Sequence, residues 1–214
     1  MKRWPGVILL SLLTLAVPAR AAPSFTVEVI AFRYSDSAQA SMWAADEQAP
    51  ALGGATPLRE AVKGESPDYF TALPASSLRL GGASAVLRKT AGYEVLLHTA
   101  WRQPGRAAEP IYLRSPVLPE EAAPAVEGTL RLREAGPEIR VSGEFWVLLD
   151  SQRVKVSPNQ NLRVGELRYI DHALLGLLVQ VLPETTGEPT TAEPATAPLE
   201  TPPLRSAATP GPAD

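Results

Sequence analysis

Two histidines are the only imidazoles in 214 residues, and the chain has no cysteine. His98 stands inside an alternating stretch, between Leu97 and Thr99, and His172 follows Asp171. An Asp beside a His suggests a general base, but neighbours on a strand point to opposite faces and rarely pair. Glu144 is a further acid, yet no motif points to a second carboxylate at glycosidase separation. No GxSxG, HExxH, GxGxxG or GxxxxGK[ST] pattern occurs, and Gly53-Gly54 and Gly81-Gly82 fall in loops. Two lone histidines make a poor metal site, and missing thiols exclude zinc thiolate, disulfide and covalent haem chemistry. We therefore expect no catalytic residue, no metal and no cofactor.

Binding chemistry is better supplied. Trp101, Trp146 and Tyr169, with Arg102, Arg131 and Arg133, sit on or beside stretches that alternate as strands. An aromatic plate stacks on the apolar face of a sugar ring, and a guanidinium fork takes a carboxylate at two points. Trp146 is expected on an outward face beside Arg140, opposite to Phe145. These six residues form the candidate ligand site. The plainer reading stands beside it: Trp101 in a core, and outward arginines on a solvated sheet face.

The elements that must position them are mostly strands. Phe25 to Phe32 is apolar on both faces, which suits a central or covered strand. Tyr93 to Trp101 alternates, with Tyr93, Val95, Leu97, Thr99 and Trp101 on one face. Gly128–Glu134 and Ile139–Leu149 flank a Gly136-Pro137 turn and read as a hairpin. Ile111–Arg114 reads as an edge strand in a proline-rich loop. Leu162 and Val164 begin an alternation that Leu167 and Tyr169 continue in the opposite phase, which predicts a β-bulge at Gly165-Glu166. Leu174 to Val181 is a last buried strand. Residues 83–91 fit a short helix ended by Gly92. Residues 35–82 read as a long, partly helical insertion after the first strand, docked by Met42, Trp43 and other large side chains. The expected fold class is α+β, a mainly antiparallel β-sheet meander with that insertion and one short helix.

Composition sets the boundaries and the compartment. Lys2 and Arg3 precede an apolar run from Val7 to Val17, and Ala19-Arg20-Ala21 fits a signal-peptidase site. Residues 1–21 are thus expected to be a signal peptide, cleaved after about Ala21. Neither this run nor Leu174–Val181 approaches the ~20 apolar residues of a spanning helix, so no membrane span is expected in the mature chain. One domain is expected over 22–183, large enough to bury ~70% of its unfolded surface. Residues 184–214 are rich in Pro, Ala, Thr and Glu and are expected to form a disordered tail. Loss of Lys2, Arg3 and Arg20 with the leader lowers 20 basic residues to 17 against 23 acidic ones, a net charge of −6. That balance argues against nucleic acid as a partner.

Four blocks resemble the CsiV family of exported peptidoglycan-binding proteins linked to cell-shape integrity. They are Val27–Phe32, Gly92–Pro104, the strand pair from Gly128 to Leu149, and Gly165–His172 followed by Leu175–Val179. The second and fourth are the specific ones. The family pattern has a histidine where Arg168 stands and a proline where Ala173 stands. The resemblance implies a periplasmic, non-catalytic protein that binds peptidoglycan and supports cell-wall synthesis and cell shape. It also implies a place alongside an outer-membrane lipoprotein that activates a wall synthase. Two rival functions remain open from the residues. One is a protein–protein adaptor that recruits its partner at a sheet edge. The other is a wall hydrolase using His98, His172, Asp171 or Glu144.

Overall fold

The computed structural model describes residues 24–34, 52–62, 68–105, 107, 109–117, 119, 123–149 and 151–184. The expected signal peptide, the tail beyond Glu184, Met42 and Trp43 lie outside them. The described chain runs β1 (Ser24–Tyr34), β2 (Thr56–Pro57), α1 (Gly81–Lys89), β3 (Tyr93–Pro104), β4 (Ile111–Arg114), β5 (Val126–Ala135), β6 (Glu138–Leu149), β7 (Gln152–Val156), β8 (Asn159–Arg163), β9 (Leu167–Ile170) and β10 (Gly176–Glu184).

The strands form two sheets rather than one meander. The first has the order β3-β1-β10-β9, and the second β2-β4-β5-β6-β7 with β8 also on β6. Only β4 to β7 run as a meander. The first sheet is closed by the first and last strands, with Ser24 opposite Glu184 and Phe32 opposite Gly176. Hydrophobic periodicity reports which face of a strand is buried and not which distant strand lies beside it, so this pairing left no local signal. As expected, β1 is central and buried on both faces. Its Phe25, Val27, Val29 and Ala31 meet Leu130, Leu132, Phe145 and Val147 of the second sheet in one core. Each such fully buried large side chain contributes ~1.5–3 kcal/mol relative to exposure.

Two further expectations are corrected. The phase switch at Gly165-Glu166 is not a bulge within one strand: β8 belongs to the second sheet and β9 to the first. Gly165, at φ 91°, makes the corner, and its N–H bonds to Val181 O at 2.7 Å. The long helical insertion is not found: between residues 52 and 80 the described residues hold β2 and a single 3-10 turn at Ala75–Ser77. Here the backbone bonds to the edge of β3 instead, Phe70 N to Arg102 O at 2.8 Å and Leu73 N to Ala100 O at 2.7 Å. Among the described residues the fold is therefore mainly β, with one short helix.

That helix covers part of the first sheet's outer face. Leu80, Ala83 and Leu87 pack on Ile30, Phe32 and Val95. Glu28 lies under its first turn and accepts the N–H groups of Arg79 and Leu80, each at 2.8 Å. A buried carboxylate at a helix N-terminus satisfies two donors that the helix cannot, and it complements the macrodipole.

Candidate functional site

The outer face of the first sheet beyond α1 carries a cluster of tyrosines, and a defect in strand pairing puts it there. Ala31 faces Leu97 and Phe32 faces Val95, so Leu96 is an extra residue on β3. This bulge reverses the alternation. Leu97 and Trp101 stay on the core side, while Val95 and Tyr93 swing to the outer face. Tyr93 then meets Tyr34 from the end of β1, their ring centroids 5.6 Å apart. Phe32 forms the floor: it lies 5.7 Å from Tyr93 at a steep angle and stacks on Tyr169 of β9 at 6.1 Å. Gly176 makes room for that floor, since a Cβ there would lie 2.3 Å from Phe32 Cζ.

Asp171 fixes the rings from one side. Its Oδ1 accepts the hydroxyl of Tyr169 at 2.6 Å and that of Tyr34 at 2.8 Å. These bonds hold its carboxyl below the usual carboxylate range. Burial, and then the carboxylate itself, push both phenols up. At neutral pH the site thus offers two un-ionised phenols, one carboxylate and a set of ring faces. Tyr93 is 37% exposed and Tyr169 45%. Rings that are open to solvent yet held, Tyr169 by its hydrogen bond and Tyr93 by its ring contacts, suit stacking on a sugar, because little side-chain freedom is lost on contact.

The six residues expected to bind do not assemble. Tyr169 is in the cluster. Arg102 lies at the far end of the same sheet, where its guanidinium clamps Glu184, with Nη2 2.9 Å from Oε2. Trp101 is 0% exposed, and its indole N–H bonds to Gln103 Oε1 at 2.9 Å, so it belongs to the core. Trp146 corrects the expectation of an outward plate. It leaves the core face, opposite Glu127 and Lys155, yet it is only 3% exposed. Lys155 Nζ sits over the ring at 5.2 Å and also pairs with Glu144 at 2.8 Å. Arg131 and Arg133 stand on the outer face of the second sheet. Sequence reasoning left Tyr34 and Tyr93 out of the site and considered Asp171 only as an acid–base group. A signal for Tyr34 existed, since it follows Phe32 by two and shares its face; for Tyr93 the bulge hid it.

Of the groups a hydrolase would need, Asp171 is bonded within the tyrosine cluster, Glu144 pairs with Lys155, and the histidines have other partners. His98 Nε2 donates to Glu28 Oε1 at 2.7 Å beneath α1. His172 Nδ1 accepts the Leu174 N–H at 3.2 Å, and burial pushes its imidazole pKa down. Among the described residues no group of three metal-binding side chains forms a metal site, and no helix is long and apolar enough to cross a membrane.

No curated protein and no solved structure matches the chain. A family model does: that of the peptidoglycan-binding protein CsiV matches residues 6–184, which takes in the whole described fold. With an open aromatic surface on a two-sheet scaffold and a match of that extent, the chain belongs to the CsiV family of peptidoglycan-binding proteins.

Proposed function

We propose that the protein binds peptidoglycan through the tyrosine cluster of the first sheet and breaks no bond in it. The observation that carries this is the geometry of Tyr34 and Tyr169, held by Asp171, and of Tyr93 packed beside them around Phe32 on an open face. Ring faces take the apolar sides of the sugars, and the phenol hydroxyls and the Asp171 carboxylate offer polar contacts to their hydroxyls. The engaged states of His98 and Glu144 favour binding without catalysis. In this reading the chain is exported to the periplasm, loses residues 1–21, and supports wall synthesis and cell shape. An outer-membrane lipoprotein that activates a wall synthase is the protein partner that fits.

The test is co-sedimentation of the purified protein with wall sacculi freed of other proteins. Wild type is expected in the pellet, and folded Tyr93→Ala and Tyr169→Ala in the supernatant. Retention of both variants rejects this face. Absence of wild type from the pellet favours the adaptor instead. Release of soluble muropeptides would revive the hydrolase.

A further inference from the structure

The outer face of the second sheet differs sharply from the tyrosine surface. At its outward positions Arg131 and Arg133 of β5, Arg140 of β6 and Arg163 of β8 cluster by register, with Glu138 of β6 the acid opposite Arg163. None of these four forms an ion pair among the described residues, in contrast to Arg153 with Glu127 and Lys155 with Glu144. Such a basic face is unexpected on a chain whose formal net charge is −3. Unpaired like charges repel each other, which costs stability unless an anion arrives to offset them.

An open hollow of about 340 Å³ lies on this face, between Thr129, Arg131, Ser142 and Glu144 and the loops at Gly53 and Pro110. Arg131 is half-buried in its wall. Thr129 and Ser142 add hydroxyl donors at the same site. A guanidinium fork beside two hydroxyls is a receptor for a carboxylate, and the volume suits one or two amino-acid residues.

We infer that this hollow binds the carboxylates of the peptidoglycan stem peptide, as a second contact separate from the tyrosine cluster. The inference rests on the reading of the protein as a peptidoglycan binder, because charge complementarity alone does not choose among anions. The wall polymer carries both chemistries: sugars for the rings of one sheet, and acidic peptides for the arginines of the other.

The test separates the two contacts with soluble fragments. Isotope-labelled protein is titrated with stem peptide lacking sugar, with the same peptide amidated at its carboxylates, and with glycan strands lacking peptide. Free stem peptide should shift resonances around Arg131, and its binding should weaken with added salt. Arg131→Gln should weaken it about tenfold or more, and Arg131→Lys, which keeps charge without the fork, by less. Tyr169→Ala should leave peptide binding unchanged while losing the glycan strands. Thermal unfolding confirms that each variant is folded.

Equal binding of the amidated peptide, or an unaltered response in Arg131→Gln, overturns the inference. So does a polyglutamate peptide that binds as well as the stem peptide, which would point to an acidic protein segment as the occupant. If wild type binds sacculi and glycan strands but not stem peptide, the inference fails and peptidoglycan binding stands. If it binds none of them, both fail.

Discussion

His98 and Glu28 meet at 2.7 Å on the outer face of the first sheet, beneath the start of α1. Their side chains are 9% and 2% exposed. The histidine steadies a carboxylate whose other bonds begin a helix, and neither residue is open to a polymer. A mid-strand histidine that looked like an acid–base candidate is therefore an internal strut.

Removal of this carboxylate should be severe. Glu28→Ala strands the N–H groups of Arg79 and Leu80 and leaves His98 without its acceptor. A cost of about 2–4 kcal/mol is expected, visible as a lower urea midpoint. His98→Ala should also destabilise, yet retain sacculus binding in whatever fraction stays folded. A folded His98→Ala protein that no longer binds would place the histidine at the ligand after all.

The two tryptophans on β3 and β6 should respond differently to the same change. Trp101→Phe breaks the bond to Gln103 and leaves a buried amide oxygen unpaired, a loss of about 1–3 kcal/mol. Trp146→Phe removes a buried indole N–H that has no hydrogen-bond partner among the described residues. That variant should stay within about 1 kcal/mol of wild type. Calorimetric melting of both proteins compares them directly, and an equal or reversed ranking would contradict the assigned bonding.

Gly176→Ala probes the floor of the tyrosine cluster. Its added methyl would overlap Phe32, which stacks on Tyr169. Overpacking of this kind typically costs about 1–3 kcal/mol. Sacculus binding should weaken in parallel, because Phe32 cannot move without Tyr169. Unchanged binding in a destabilised variant would mean that the ring stack does not set the ligand contact.

Acidification should weaken the fold in two stages. Burial lowers the His172 pKa from its ordinary 6.5, so the unfolded chain takes up the proton first. Stability is then complete above about pH 6.5 and declines as the pH falls through the lower folded value. Asp171 behaves likewise further down: its stabilisation is present above the ordinary 3.8 and is lost as pH drops through its depressed value. Urea midpoints at pH 7 and pH 5 report the first stage. In His172→Gln the difference between them should shrink, and an unchanged difference would remove His172 as its cause.

The strands were largely legible in the sequence, because alternation and β-branched content act locally. Alternation places Ile111–Arg114 with the bounds it has, and puts the β5–β6 hairpin and the helix within two residues or so of their positions. β7 gave no signal that was read, since Gln152 to Val156 alternates over only five residues. The partnership of β1 with β10 was not legible, because it joins residues more than 140 apart. The site suffered from the same limit. Tyr169 was identified from its type, but Tyr93 lies on the other side of an inserted residue at Leu96, and strict alternation assigned it to the core side. Trp146 points the way its parity requires, and the Lys155 ammonium over its ring is a contact that periodicity does not register.

The pairing of Ser24 with Glu184 brings both ends of the described chain to one corner of the molecule. Tyr34 closes the opposite end of the 11-residue strand β1, ~33 Å away at the usual rise per residue. A surface linkage, dye or fused module attached after Glu184 consequently departs from the far pole, and protein immobilised through its C-terminal side should present its tyrosines outward for capture measurements.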